Sequence, residues 1–194
     1  MNSVMKSFGS AVILLMLTAG VLGLAYARWT HAVADADAAL ANGDLTHALA
    51  DYAAAQARFD ALPAARQLFA AEYNRVVGNE LWVLYQLGRF DETIDKAEKA
   101  PDAASPHFFS ACAFFEKGSL EPKPEARLGW FSRAEDEFRR AVEAAPGDWD
   151  TKYDFELTTR LTAELRKQPK APPKQLMQLL RPPTPTGKPP KRVG

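Results

Sequence analysis

The chain has 194 residues, of which 47% are apolar, and a formal net charge of zero, which is enough material for one domain with a buried core. The charges are segregated. Residues 35–166 hold all 24 acidic residues and carry a net charge of −9, whereas residues 167–194 carry +7 and no acid. An acidic central segment repels phosphate, so we expect no nucleic-acid partner.

The N-terminal segment is predicted to be a membrane helix. Residues 8–27 form a stretch of 20 residues without a charge, and as a helix they would extend about 30 Å, the thickness of the hydrocarbon core of a bilayer. Tyr26 and Trp29 stand at the outer end, where amphipathic aromatic side chains favour the headgroup zone. Lys6 precedes the stretch, so the positive-inside bias directs the rest of the chain across the membrane. We therefore predict residues 1–28 to be an anchor in the inner (cytoplasmic) membrane, with the domain facing the periplasm.

A cleaved signal peptide is an alternative interpretation of the same segment. Ala25-Tyr26-Ala27 fits the small-x-small cleavage pattern and would leave Arg28 as the new N-terminus. The apolar run, however, is longer than the usual h-region of about 7–15 residues. A buried helix of a cytosolic protein is the third alternative. Both an anchor and a signal peptide place the main domain outside the cytoplasm.

Residues 29–166 are predicted to be entirely helical. Alanine, leucine, glutamate, lysine and arginine dominate, and apolar residues recur at three- and four-residue spacing. Glycine and proline divide the segment into helices of about 12–20 residues. The fold class is therefore all-α, with six or seven antiparallel helices after the membrane helix. The dividing positions are 42–44, Pro63, Gly78, Gly88, 101–106, 118–124, Gly129 and 146–147.

One pattern repeats in three of these helices. A bulky apolar residue follows a glycine at +2, a small residue at +5, a contact residue at +9 and alanine at +12. A glycine in the turn between antiparallel helices adopts positive φ without steric cost, and the small residue allows close helix approach. The predicted repeat-packing residues are Gly43, Ala48 and Tyr52; Gly88 and Phe90; and Gly129, Phe131, Ala134, Phe138, Ala141 and the terminating Pro146.

The pattern resembles the helix-turn-helix unit of the tetratricopeptide repeat (TPR). The glycines are separated by 45 and 41 residues, more than the usual spacing of about 34 residues. We expect two or three degenerate repeats in residues 29–166, stretched by insertions. Such scaffolds present a preformed concave surface, so little ordering entropy is lost on binding.

The segment 145–157 carries a sharper resemblance. Its sequence APGDWDTKYDFEL is similar to the Pro-x-Asp-Trp-Asp-x-Lys-Tyr-Asn-x-Glu segment of envelope TPR proteins. Those proteins belong to operons that pair MoxR-type AAA ATPases with von Willebrand factor A proteins; the MxaK proteins of methanol-dehydrogenase clusters are closest in layout. The matching residues are Asp148, Trp149, Asp150, Lys152 and Tyr153, while Asp154 replaces the family asparagine.

This resemblance implies an accessory protein that acts through protein contacts in the maturation or metal loading of a periplasmic enzyme. Von Willebrand factor A-type proteins of the membrane or periplasm are the implied partners.

The acidic residues of the same segment suggest helix capping rather than a calcium site. Tyr153 occupies the sixth position of a hypothetical EF-hand loop, which requires glycine. We instead expect Asp148 to cap the last helix and Asp150 to complement the helix dipole. Trp149, Tyr153 and Leu157, at four-residue spacing, are expected to pack back onto Phe138 and Val142.

No catalytic, cofactor or metal site is predicted, and we expect the protein not to be an enzyme. His31, His47 and His107 are scattered without a metal-binding spacing. Cys112, the single cysteine, lies in an apolar run and reads as a buried packing thiol. The leading hypothesis is an adaptor or assembly factor, with some of the many aromatic side chains lining a concave groove for a partner.

The tail, residues 167–194, is rich in proline and lysine and is predicted to be disordered or polyproline II. Its apolar island at 175–180 is too short for a stable isolated helix. The tail could serve as a solubilising spacer, as a protein-docking peptide or as a contact for acidic lipid or wall polymer. The last use defines the alternative function, a structural envelope protein.

Overall fold

A computed structural model of the chain describes residues 2–167. This part of the chain forms eight α-helices and no β-strand, which confirms the all-α prediction. The predicted disordered segment, beyond Lys167, lies outside the described residues. The helices are α1 (Asn2–Ala41), α2 (Leu45–Asp60), α3 (Pro63–Leu68), α4 (Ala70–Gln86), α5 (Phe90–Lys99), α6 (Ala104–Leu120), α7 (Pro124–Ala144) and α8 (Trp149–Lys167).

The first helix joins the apolar segment to the domain without a break. α1 has 40 residues, and the predicted boundary between residues 28 and 29 falls inside it. It is long and apolar enough to cross a membrane over Val12–Ala41. Large side chains between residues 12 and 24 are exposed, whereas Val33 and Ala36 are fully buried in the domain. The N-terminal part of α1 is therefore apolar and exposed, and within a few turns the same helix packs into the domain.

The remaining helices follow one another as antiparallel neighbours. α2 packs against α1, α4 against α2, and α5, α6, α7 and α8 continue the series. One buried cluster joins α1 to α4, with Val33, Tyr52, Phe59, Val76 and Leu81 at its centre. A second cluster joins α5 to α8 and includes Ile94, Ala111, Phe114, Ala134 and Phe138. The domain thus has two adjoining cores, one for each half.

The first two predicted turn glycines share one geometry. Gly43 and Gly88 have φ of 76° and 69°, the left-handed conformation that glycine adopts most easily. After Gly43, the amide of Asp44 donates a hydrogen bond to the carbonyl oxygen of Ala39 (3.0 Å). After Gly88, the amide of Arg89 donates in the same way to the carbonyl oxygen of Leu84 (3.0 Å). These six-to-one bonds close α1 and α4 in the same way. The next helix then begins within two residues in both cases.

The third predicted turn glycine is in a different place from the one expected. Gly129 lies inside α7, is exposed, and has no atom within 4 Å of the position of a Cβ. The turn is instead formed by residues 121–123, because Pro124 starts α7 at a position where its missing N–H is not needed. The contact residues of that pattern, Phe131, Ala134, Phe138 and Ala141, are all buried.

The glycine that permits close approach in this hairpin is Gly118, near the end of α6. A Cβ at this position would lie 3.0 Å from two ring carbons of Phe131 and 3.2 Å from Cβ of Trp130. Gly78, which we expected to interrupt a helix, also lies inside one, where α4 meets Ser105 of α6. Both glycines therefore serve helix packing and not chain reversal.

Candidate protein-binding groove

The last helix begins at a well-formed cap. Asp148 Oδ1 accepts hydrogen bonds from the backbone amides of Asp150 (3.0 Å) and Thr151 (3.3 Å). The Thr151 hydroxyl donates to Asp148 Oδ2 at 2.8 Å. The two hydrogen bonds from Thr151, and to a smaller extent the bond from the amide of Asp150, hold the pKa of Asp148 below its ordinary value. The cap fixes where α8 starts and hence which face it turns to α7.

That face differs from the predicted one. Trp149 and Tyr153 are 77% and 67% exposed, so the prediction that they pack onto Phe138 and Val142 is wrong. The face toward the domain carries Phe155 and a row of threonines instead. Thr151, Thr158 and Thr162 are buried, and they recur at the spacing of one helix face. Short threonine side chains let α8 approach α7 closely, which directs the larger aromatic rings outward.

The outward residues form a stripe along α8, consisting of Trp149, Tyr153 and Leu157. The Lys152 ammonium lies 4.5 Å from the centre of the Trp149 ring. Leu157 is 38% exposed and also lines a pocket between helices. Tryptophan and tyrosine are among the residue types that most often dominate binding at the centres of protein interfaces. We refer to these three residues as the α8 stripe.

The pocket at the end of the stripe, which we call the groove pocket, has a volume of about 180 Å³. Four helices contribute to it: α4, α6, α7 and α8. Of these, α4, α6 and α8 alternate along the chain with α5 and α7. Its floor is apolar and aromatic, and its rim carries two carboxylates. The lining residues are Tyr85, Cys112, Phe115, Glu116, Phe138, Asp154, Leu157 and Thr158.

Negative charge collects at the rim of the groove pocket. The Tyr85 hydroxyl donates to Glu116 Oε1 at 3.3 Å, and burial with the neighbouring Cys112 and Glu116 raises the pKa of Tyr85 to about 12. Partial burial, with Asp150 and Asp148 nearby, raises the pKa of Asp154. In the described part of the chain, Asp154 makes no hydrogen bond or ion pair. A cationic group entering the pocket would relieve this unfavourable environment.

Cys112 lacks the properties of a reactive thiol. Burial raises its pKa to about 12, and Asp154 and Glu116 add to the effect. The thiolate is the nucleophilic form of cysteine, so this thiol stays protonated at neutral pH. The geometry assigns it to the wall of the groove pocket.

A polar cluster links the helices of the N-terminal half of the domain. The Tyr52 hydroxyl donates to Asp37 Oδ1 at 2.6 Å and accepts from Asn79 at 3.0 Å. The Arg75 guanidinium donates to Asp37 Oδ2 at 2.6 Å. Burial works against the charged form of Asp37, but the bonds from Tyr52 and Arg75 outweigh it and lower the pKa of Asp37. The cluster ties α1, α2 and α4 into one unit, and its partners are mutually satisfied.

The histidines do not converge on a site. His31 pairs with Asp35, and His47 with Asp44, each on one helical turn. His107 lies between Glu137 (2.6 Å) and Asp102 (2.7 Å), at a broad cleft of about 940 Å³ beside α5, α6 and α7. Burial opposes its charge, but the two carboxylates outweigh burial and raise the pKa of His107. In the described residues no group of three or more possible ligands could hold a metal ion.

The sequence did not identify the groove pocket as one site, because its residues come together only in the folded domain. They include Tyr85, Cys112, Phe115, Glu116 and Leu157. The first and the last of these residues are 72 positions apart in the sequence, and no short motif links them. The repeat pattern marks buried positions and is silent on the opposite helix faces. Compared with known proteins, the sequence matches no family model and no curated protein.

Proposed function

We propose that this protein is a membrane-anchored adaptor or assembly factor of the periplasm that binds another protein through the α8 stripe and the groove pocket. The observation that carries the proposal is the combination of exposed aromatic side chains with an adjoining acidic pocket on a helical scaffold. Such a surface costs little ordering entropy on binding, because its helices are already fixed. Its client is a periplasmic enzyme in maturation or metal loading, as in the MxaK-like proteins.

A degenerate TPR-like architecture supports this function. The turns at Gly43 and Gly88 have the same backbone geometry, and the small residues that follow, Ala48 and Thr93, are fully buried. The third hairpin keeps the buried small residue, Ala134, but makes its turn differently. The departure from a regular repeat is what a short array with a terminal helix requires, since end repeats are atypical.

The chemistry of the site suggests the chemistry of the partner. The α8 stripe offers aromatic and aliphatic surface, and the rim of the groove pocket offers Glu116 and Asp154. We propose that the partner segment presents an apolar side chain to the stripe and a lysine or arginine to the rim. A von Willebrand factor A-type protein of the membrane or periplasm is the partner class that the resemblance of residues 145–157 implies.

Substitution of one stripe residue tests this proposal. Leu157→Asp places a charge where the stripe meets the groove pocket, beside Asp154. We expect the variant to lose most of its partner binding, because an apolar contact is removed and a like charge is added. Leu87→Asp is the matched control, since Leu87 is 37% exposed against 38% for Leu157 and lies at the end of α4, outside the pocket lining.

The measurement is affinity capture of the full-length protein from gently solubilised membranes, followed by mass spectrometry. A von Willebrand-type protein recovered with the wild type and with Leu87→Asp, but not with Leu157→Asp, supports the proposal. Equal recovery with both variants would place the binding surface elsewhere. A chain lacking residues 168–194 that loses all binding would favour the alternative in which the basic tail makes the contacts.

A further inference from the structure

A short helix of the domain lies beside the outer end of the apolar helix. The rings of Tyr26, in α1, and Phe69, at the junction of α3 and α4, have centroids 5.6 Å apart. Ala25 is half-buried, whereas Val21, Leu22 and Leu24, before it, are exposed. The contact therefore sets the level along α1 at which the domain begins.

That level matches the place where the boundary of a bilayer would lie if the uncharged stretch from residue 8 spans it. Residues 8 and 26 are separated by about 27 Å along a helix that rises about 1.5 Å per residue, close to the hydrocarbon thickness of about 30 Å. Tyrosine is favoured at this boundary because its ring is apolar and its hydroxyl is polar. Phe69, whose ring contacts that of Tyr26, would then lie at the same depth as Tyr26.

The residues around α3 are suited to this depth. Leu62, which precedes the six-residue helix α3, is 46% exposed, and Leu68, its last residue, is 72% exposed. Arg66, in the last turn, is about half-exposed; its guanidinium lies 3.5 Å from Asp60 Oδ1 and 4.8 Å from the centre of the Tyr73 ring. An arginine with an apolar stem beside exposed leucines fits the zone where acyl chains meet headgroups.

We propose that the segment 62–69 is a second membrane contact, which inserts Leu62 and Leu68 into the interfacial layer of the bilayer beside the anchor. This inference rests on the membrane anchor of the proposed function. Anchor and α3 together would hold the domain at two points, so that the domain could not rotate freely about α1. The groove would then face a fixed direction relative to the membrane surface.

The directions of α1, α4 and α6 identify Leu120 as a matched control position. α1 and α4 run the same way, because Tyr26 contacts Phe69 and Asp37 contacts Arg75. α4 and α6 also run the same way, since Gly78 lies against Ser105 and Tyr85 against Glu116. Leu120 therefore ends α6 at the side of the domain away from the membrane. It is 72% exposed, the same fraction as Leu68.

Spin labels at single cysteines test the proposal in the full chain reconstituted into lipid nanodiscs. With Cys112 replaced by alanine, labels are placed at Leu17 in the anchor, at Leu68 and at Leu120, and helicity is checked before labelling. Collision with oxygen reports lipid, and collision with a water-soluble nickel chelate reports solvent. We expect the oxygen-to-nickel accessibility ratio at position 68 to be severalfold higher than at position 120.

The label at position 17 separates the two proposals. Lipid exposure at 17 with solvent exposure at 68 and 120 would overturn the second membrane contact and leave the anchor standing. Solvent exposure at all three positions would overturn both. Lipid exposure at 17 and 68, with solvent exposure at 120, is the result that this inference requires.

Discussion

Replacing Gly118 by leucine is expected to lower the free energy of unfolding by about 3 kcal/mol, at the upper end for overpacking a filled core. A Cβ at this position meets the Phe131 ring at 3.0 Å, and Phe131 is itself buried among α6 and α7. The Phe115 ring, 5.0 Å from that of Phe131, limits how far Phe131 can retreat. Urea unfolding followed by circular dichroism measures the difference.

Gly129→Leu is the matched control for Gly118→Leu. Gly129 lies in a helix, like Gly118, but has open space where a Cβ would be. Leucine is a better helix former than glycine, so we expect no loss and a gain of up to about 1 kcal/mol. Equal stability of Gly118→Leu and Gly129→Leu would contradict the close packing of α6 on α7 at Gly118.

Replacing Lys96 by methionine is the second substitution with a large expected effect. Lys96 Nζ lies 2.6 Å from Glu80 Oε1, and the Glu80 side chain is only 6% exposed. Lys96 also donates to Gln56 at 2.6 Å, so the ammonium links α2, α4 and α5. Removing one partner of a buried ion pair leaves an uncompensated charge, and we expect a loss of about 3 kcal/mol at neutral pH.

The loss should shrink as the pH falls. Burial raises the pKa of Glu80, and Lys96 opposes that effect, so the Lys96→Met variant raises this pKa further. When the pKa of a carboxyl group is higher in the folded than in the unfolded state, the group destabilises the fold, and the full penalty applies at pH values above the folded-state pKa. The penalty disappears as the pH falls toward the unfolded value of about 4.3.

A pH series and one control variant check the explanation for Lys96. The difference in unfolding free energy between wild type and Lys96→Met should narrow as the pH falls from neutral toward the unfolded pKa of about 4.3. Lys99→Met, at an exposed position of the same helix, should stay within about 0.5 kcal/mol of the wild type. A pH-independent loss would indicate that the lysine stem, and not its charge, stabilises the domain.

The sequence predicts the helices well because the relevant signals are local. Apolar spacing within one helix and the turn chemistry at Gly43 and Gly88 depend on neighbouring residues only. Gly129 shows the limit of that reasoning. A glycine in a turn and a glycine on an open helix face have the same local sequence signature. Only the packing of α6 on α7 identifies Gly118 as the position that requires glycine.

The candidate site was less predictable for a related reason. The four-residue spacing of Trp149, Tyr153 and Leu157 correctly places them on one face of α8. Spacing alone does not determine whether that face turns inward, and the largest apolar residues were expected to be buried. The threonine face is turned inward instead. The groove pocket adds contributions from α4, α6 and α7, whose juxtaposition depends on the tertiary fold.

Photo-crosslinking in intact cells tests whether the protein binds its partner through the α8 stripe. A benzophenone amino acid replaces Tyr153, which is 67% exposed, or Leu120, which is 72% exposed, and cross-linked proteins are identified by mass spectrometry after irradiation. We expect a discrete adduct with a von Willebrand-type protein from position 153 and none from position 120. No adduct at position 153, or the same adducts from both positions, would contradict an adaptor that binds its partner through this surface.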